Sequence, residues 1–328
     1  MARARVAGFV LLGAIVLLAA AGPSLVAHDP AWQFPDASYA PPMRPHVIDA
    51  TGAWRMPFVY PLRLEDQLAR RYVEDLAHPV PLTWGAGGAL IGVDERGGPW
   101  LPLGGDALGR DILARTVAGA RLSLGVSALA AAGALVLGAL IGSLAGFGGG
   151  RVDEALMRVA DFVLVLPAIY VVLVLRAAMP LVLTPADVFW TLVCVFAIAG
   201  WPYAARGVRA IVLAEARKEY AEAARAIGAG PWRILLRHLL PAASGFLAVQ
   251  ATLLLPAFIL AEATLSFVGL GFPEPTPSWG AMLKDAFRVS ALTEAPWLVA
   301  PAVAIFVSVL ALHLAASGSD EQAVIPRA

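Results

Sequence analysis

Cysteine is nearly absent. One residue, Cys194, stands in a chain of 328. That excludes a disulfide framework and any cysteine-based metal site. Inside an apolar run, Cys194 reads as a small packing residue. Histidine is scarce too, and His28, His46 and His78 are too scattered to argue for a metal site. No G-x-x-x-x-G-K-[ST] phosphate loop occurs, so the chain does not itself hydrolyse ATP. H-E-x-x-H and G-x-S-x-G are also missing, and His238 and His313 have no evident catalytic partners. An intramembrane enzyme is therefore disfavoured. Charge is the other scarcity, with 15% of residues charged against 59% hydrophobic. Soluble domains carry about 25% charged residues. No nucleic-acid partner is expected.

Long apolar runs are what the chain has instead. Six are near the roughly 20 residues that a bilayer requires: about 6–27, 122–147, 157–179, 185–205, 244–270 and 295–316. Arg3 and Arg5 precede the first, and Arg151 lies between the second and third. Arg206, Arg209, Arg217, Lys218, Arg225, Arg233 and Arg237 lie between the fourth and fifth. The positive-inside rule makes these segments cytoplasmic and puts both termini inside. The first run reads as a retained span rather than a signal peptide, because Leu25 is a poor small-residue cleavage signal before Ala27. The expected organisation is an N-terminal span at 1–27, an external insertion at 28–105, a core at 106–317 and a cytoplasmic tail at 318–328.

The segment 215–241 reads as helix, tight turn, helix. Helix formers run from Glu215 to Ile227, and Gly228 can adopt the left-handed conformation that ends a helix. Pro231 suits a first helical position, and Pro241 limits the second helix near Leu239. Lys218 with Glu222, and Glu222 with Arg225, have helical pair spacing. Ala221, Ala223 and Ala224 would let another protein approach closely.

The insertion is too aromatic for a disordered linker. Leu64, Leu68, Tyr72 and Leu76 recur every four residues and predict one short amphipathic helix, with extended, turn-rich chain around it. Its function is either a docking surface for a solute-binding protein or a lid packed on the spans.

Within the spans, Gly138, Gly142 and Gly146 predict a closely packed second span. Pro167, Pro202 and Pro256 are candidate kinks. Arg158 and Asp161 read as a structural pair on one helix face. Glu262 is the most notable intramembrane side chain. It either walls a translocation path or is a structural carboxylate, and the second reading is preferred.

Several motifs are collinear. Leu103-Gly104-Gly105-Asp106-Ala107-Leu108-Gly109-Arg110-Asp111 opens the series, followed by Gly119-Ala120-Arg121-Leu122-Ser123-Leu124. Met157-Arg158 stands with Asp161 and Pro167. Leu260 to Gly271 reads LAEATLSFVGLG, and Pro275 to Gly280 reads PTPSWG. With Glu222-Ala223-Ala224, Gly228 and Leu240-Pro241, the series resembles the C-type permease subunit of the dipeptide/oligopeptide/nickel ABC importers. The resemblance covers about two-thirds of the chain. It departs at Ala242, where the family commonly has asparagine, at the tail from His313 to Asp320, and in the longer insertion.

The resemblance implies an all-α polytopic protein of six transmembrane helices, the type I importer permease fold, with the insertion between the first two. It implies a transport subunit rather than an enzyme, in the cell inner membrane, carrying no cofactor of its own. Partners would be a homologous permease subunit, two cytoplasmic ATPases that bind ATP–Mg, an external solute-binding protein and the lipid bilayer. The ATPase-coupling residues would be Glu219, Glu222, Ala223, Ala224, Gly228, Pro231, His238, Leu240 and Pro241. Peptides are the expected solute, with nickel complexes or glycosides as alternatives. A secondary transporter fits less well, because no internal repeats with matching broken helices are seen.

Overall fold

The structure is a computed structural model that describes residues 2–26, 28–67, 70–85, 90–93, 98–167, 170–174, 183–287 and 293–317. Among these residues five helical stretches are long and apolar enough to cross a membrane: Arg3–Ala20, Ile112–Gly148, Pro185–Glu215, Pro231–Val268 and Pro296–Ala316. They contain α1 (Ala2–Ala20), α3 (Ile112–Gly148), α5 (Pro185–Glu215), α8 (Ser244–Val268) and α10 (Ala300–Ala316). A one-turn helix, α2 (Gly22–Leu25), follows α1 after a bend at Ala21. The third expected span, 157–179, begins in α4 (Gly150–Val165) and has a helical stretch at 170–174; positions 168–169 and 175–179 lie outside the described residues. So does the expected tail, 318–328. α3 and α5 extend beyond their apolar runs, whereas α1 ends at Ala20, short of position 27. α3 begins ten residues before position 122, and polar Arg115 in its added first turns is buried rather than facing water.

Two compact units emerge, one from 1–8, 125–262 and 312–328, the other from 9–124 and 263–311. In the first, glycines on α3 set the packing. A Cβ added at Gly138 would lie 2.4 Å from Ala204 Cβ, at Gly142 2.4 Å from Ala205 O, and at Gly146 2.7 Å from Arg209 O. Only bare backbone allows α5 that close, which bears out the small-residue reading. Phe196 and Phe258 stack at 5.4 Å between α5 and α8. α5 starts on a capping box, with Thr184 Oγ1 accepting from Asp187 N and Asp187 Oδ2 accepting from Thr184 N. This satisfies two of the amides a helix start leaves open. Pro202 lies inside α5 and Pro256 inside α8, whereas Pro167 follows the end of α4. Cys194 sits on the exposed face of α5 rather than in packing.

Arg158 and Asp161 do not pair. Arg158 donates to Glu154 one turn back at 2.6 Å, and Asp161 receives Arg206 of α5. Asp153 of α4 likewise receives both Nε and Nη2 of Arg209. Asp161 took a partner across a helix interface and Arg158 its i,i+4 neighbour, in place of the i,i+3 pair.

The second unit holds most of the insertion's β structure. Strands β1 (His46–Ile48), β2 (Trp54–Val59) and β5 (Val80–Pro81) form an antiparallel sheet in the order β1-β2-β5. Strands β3 (Leu62–Asp66) and β4 (Arg71–Glu74) form one hairpin, and β6 (Thr83–Trp84) and β7 (Ile91–Gly92) another. The helix expected over 64–76 is therefore a hairpin; Leu68 lies outside the described residues. Leu64 and Tyr72 are cross-strand partners, so their spacing came from the turn and not from a helical period. Arg70 in that turn has φ 47, outside any helix. Tyr72 instead donates its hydroxyl to Ser38 O at 2.7 Å and packs on a small core of Ala37, Ala40, Met43, Val59, Val93 and Leu101.

Three of the sequence motifs meet in this unit. Trp279, at the start of α9 (Trp279–Ala286), is buried. Its Nε1 donates to Thr116 O at 2.9 Å, and its backbone N donates to Ser123 Oγ at 3.4 Å. Its ring crosses Gly119, where a Cβ would come within 3.2 Å. Beside it Asp106, Arg110, Asp111 and Arg115 are all buried. Arg110 Nε meets Asp106 Oδ2 at 2.6 Å, and Arg115 Nε meets the same oxygen at 3.4 Å. Glu274, the residue just before the PTPSWG motif, reaches both arginines. Buried charges persist only when paired this way.

Candidate functional site

The expected coupling segment is a folded appendage of the first unit. α5 ends at Glu215 and the chain turns through Ala216, Arg217 and Lys218 into α6 (Glu219–Ala226). A continuous helix from Glu215 to Ile227 is thus corrected to two helices. Glu215 bridges the break. Its carboxylate accepts Lys218 Nζ at 2.7 Å and the Tyr220 hydroxyl at 2.7 Å. Lys218 therefore pairs backward with Glu215, not forward with Glu222. Burial and the Glu215 carboxylate together push the Tyr220 hydroxyl up to about 12.

Gly228 ends α6 with φ 80. Ala229 N donates to Ala224 O at 3.0 Å and Gly228 N to Arg225 O at 3.0 Å. This is the paired hydrogen-bond pattern of a left-handed helix cap. α7 (Pro231–Ile234) follows with Pro231 in its first turn. Pro241 does not stop the second helix. The backbone widens into a π turn at Leu235–Leu239, tightens into a 3-10 turn at Leu240–Ala243, and continues as α8. The irregular turns absorb the missing proline donor without breaking the rod.

The alanines divide between the two faces. Ala221 and Ala224 are buried against Val208 and Val212 of α5 and against Ile234, Leu235 and Leu239. They fit the segment to its own spans instead of opening it to another protein. Ala223 and Glu222 face out, as do Glu219 and His238. The sequence reading missed the apolar part of this outer face: Ile227 is 86% exposed, Trp232 65% and Leu236 56%. Arg225, Arg233 and Arg237 are exposed among them. An apolar residue on the polar side of each short helix was the available signal. His238 lies 6.3 Å from the Tyr220 ring. Leu240 is half-buried and Pro241 exposed.

Glu262 is far along α8 from this segment and wholly buried. Among the described residues no group of three or more His, Cys, Asp or Glu side chains is placed to hold a metal ion.

The chain from 134 to 320 matches the family described as the binding-protein-dependent transport system inner membrane component. The chain belongs to this family. Similar relatives share the assignment. The oligopeptide transport system permease protein OppC of Bacillus subtilis is 39% identical over 216 residues, which is 66% of this chain and 68% of the relative. The di/tripeptide transport system permease protein DppC of Pseudomonas aeruginosa is 40% identical over 217 residues, 66% of this chain and 69% of its own. The dipeptide transport system permease protein DppC of Bacillus subtilis is 40% identical over 182 residues, 56% and 55%. The chain is thus a multi-pass membrane permease subunit of an importer. Both the coupling segment and Glu262 fall within the stretch the family covers, whereas the insertion at 28–105 lies outside it.

Proposed function

We propose that this permease subunit forms half of the translocation path of an ATP-driven peptide importer. One observation carries the coupling reading. Between α5 and α8 the chain builds a two-helix appendage whose outer face carries apolar Ile227, Trp232 and Leu236 with Arg225, Arg233 and Arg237, beside the acidic Glu219 and Glu222. Such a face suits a groove with acidic edges on a cytoplasmic ATPase. The appendage is joined to the spans at both ends. The run Pro231–Val268 has 38 residues and would measure about 55 Å at helical rise. A push on the face would therefore tilt two spans together. ATP–Mg, bound by two partner ATPases, would supply the differential binding that drives the switch between inward- and outward-facing states.

Peptides are the proposed solute, because the relatives carry peptide names. A homologous second permease and an external solute-binding protein complete the assembly. The positive-inside rule applied to the residues from Arg206 to Arg237 supports a cytoplasmic appendage, and with six spans both termini would lie on that side too. The insertion 28–105 would then lie outside, ahead of the core 106–317.

Reconstituted with its partners, the importer should show ATPase activity stimulated by peptide-loaded binding protein. Stimulation by nickel complexes or glycosides, and not by peptides, would overturn the solute. Glu262 we assign a structural role: Glu262→Gln should assemble with the partner permease, and Glu262→Leu should assemble poorly. Normal assembly of Glu262→Leu with altered solute preference would place the carboxylate on the path.

A further inference from the structure

We propose that the β6–β7 hairpin of the insertion is a membrane anchor, with Trp84, Leu90 and Ile91 seated in the outer headgroup layer of the bilayer. The sequence isolates this element. Residues 80–93 contain no Asp, Glu, Lys, Arg or His, although fifteen charged residues fall elsewhere in 28–105. Trp84 is 78% exposed, Leu90 54% and Ile91 37%. Facing water, that uncharged, tryptophan-bearing hairpin would be an unexplained apolar surface.

The tether sets its depth. Leu90 N donates to Ser24 O at 2.7 Å. Ser24 lies in α2, four residues beyond Ala20, the end of the first helix long and apolar enough to cross a membrane. With the hydrocarbon edge at the end of that helix, Ser24 is about 6 Å beyond it at helical rise. The headgroup layer is roughly 5–8 Å thick on each side, so Leu90 falls within it. The second span gives the same level. A Cβ at Gly22 would lie 2.8 Å from Val117 Cγ1, in the second turn of α3. The exit of one span and the start of the next thus flank the hairpin. Between them is a mostly apolar cleft of about 230 Å³, bordered by Leu25, Leu90, Ile91, Trp100 and Leu113, with Asp111 also in its wall. Tryptophan is the side chain that favours this layer, with its ring in the apolar boundary and its N–H in the wet one. The anchor would hold the hairpin to the membrane plane through the bilayer itself.

The test uses the whole importer in lipid nanodiscs. An environment-sensitive fluorophore is placed on Leu90→Cys, and separately on Ile91→Cys, in a Cys194→Ala background that retains uptake. Ala77→Cys, exposed on the insertion, is the aqueous control. Lipids carrying a nitroxide near the top of the acyl chain should quench the probe at 90 and at 91, with blue-shifted emission, while aqueous iodide quenches only the probe at 77. Adding Trp84→Glu should move the probe at 90 toward the iodide-quenched state. Iodide quenching at 90 and 91 equal to that at 77, without nitroxide quenching, would overturn the proposal. Protection that arises only when external binding protein is added would also overturn it, assigning the face to that protein.

Discussion

At the scale of single residues, conformation decides more than contact. Nothing lies within 4 Å of the position a Cβ would take on Gly228, so a side chain there meets no obstacle. Its φ of 80 is the whole constraint. A non-glycine residue in that region costs roughly 1–2 kcal/mol, and asparagine tolerates it best. Gly228→Val should therefore reach the membrane at normal level yet fail in uptake and in stimulated ATPase activity, with Gly228→Asn close to wild type. Full uptake by Gly228→Val, measured at equal expression, contradicts a coupling role for this turn. Asp49 is a second case. Its Oδ1 accepts Thr51 Oγ1 at 2.6 Å, Ala53 N at 3.0 Å and Thr51 N at 2.9 Å, and Arg55 pairs with Oδ2. The Thr51 hydroxyl first, then the Ala53 amide, hold its carboxyl down from 3.8 to about 2. A carboxyl lowered by folding stabilises the fold above its unfolded value and loses that contribution as pH falls through the folded one. The β1–β2 turn should therefore loosen between pH 3.8 and 2, as judged by amide exchange in that hairpin corrected for intrinsic rates. Asp49→Asn should remove that pH dependence.

At the scale of elements, helix contact is set by what is missing from α3. Gly142 faces the Ala205 carbonyl at a distance no Cβ could share. Gly142→Ala should overpack the α3–α5 interface at about 1–3 kcal/mol and lower the thermal midpoint in detergent. Gly245→Ala, at a glycine with no neighbour within 4 Å of the added carbon, should leave the midpoint unchanged or raise it slightly. Equal midpoints for wild type and Gly142→Ala would show that the interface has slack. Packing likewise decides the fit of the segment 215–241. Its glycine turn was legible because αL geometry is a local demand. The burial of Ala221 and Ala224 was not legible, because it depends on where Val208, Val212 and Leu239 come to lie. Pro241 misled for the same reason: a proline ends a helix only if the surrounding backbone cannot widen to admit it.

At the scale of the whole molecule, the proposed orientation of the chain across the membrane rests on its arginines. Reporter fusions at Ala50 and Arg217 should report opposite sides, external and cytoplasmic. The same side for both would overturn the proposed topology. The insertion belongs to this scale as well. Its fold was misread at 64–76 because a four-residue spacing fits both a helix and the two arms of a hairpin, and only the strand pairing separates them.

The sequence by itself determined the membrane class, the family motifs, the glycine face of α3 and the turn at Gly228. Each is a property of composition or of local backbone geometry, which the chain carries wherever it folds. The tertiary structure decided which charges pair. It sent Arg206 and Arg209 to Asp161 and Asp153 across a helix interface, and brought the exposed Glu274 onto the buried Asp106, Arg110 and Arg115 from a segment about 160 residues away. It also seated Trp279 on Gly119. A long side chain has several partners within reach along the sequence, and burial selects among them, because a charge or an indole N–H removed from water must be met by whatever polar group the fold brings beside it.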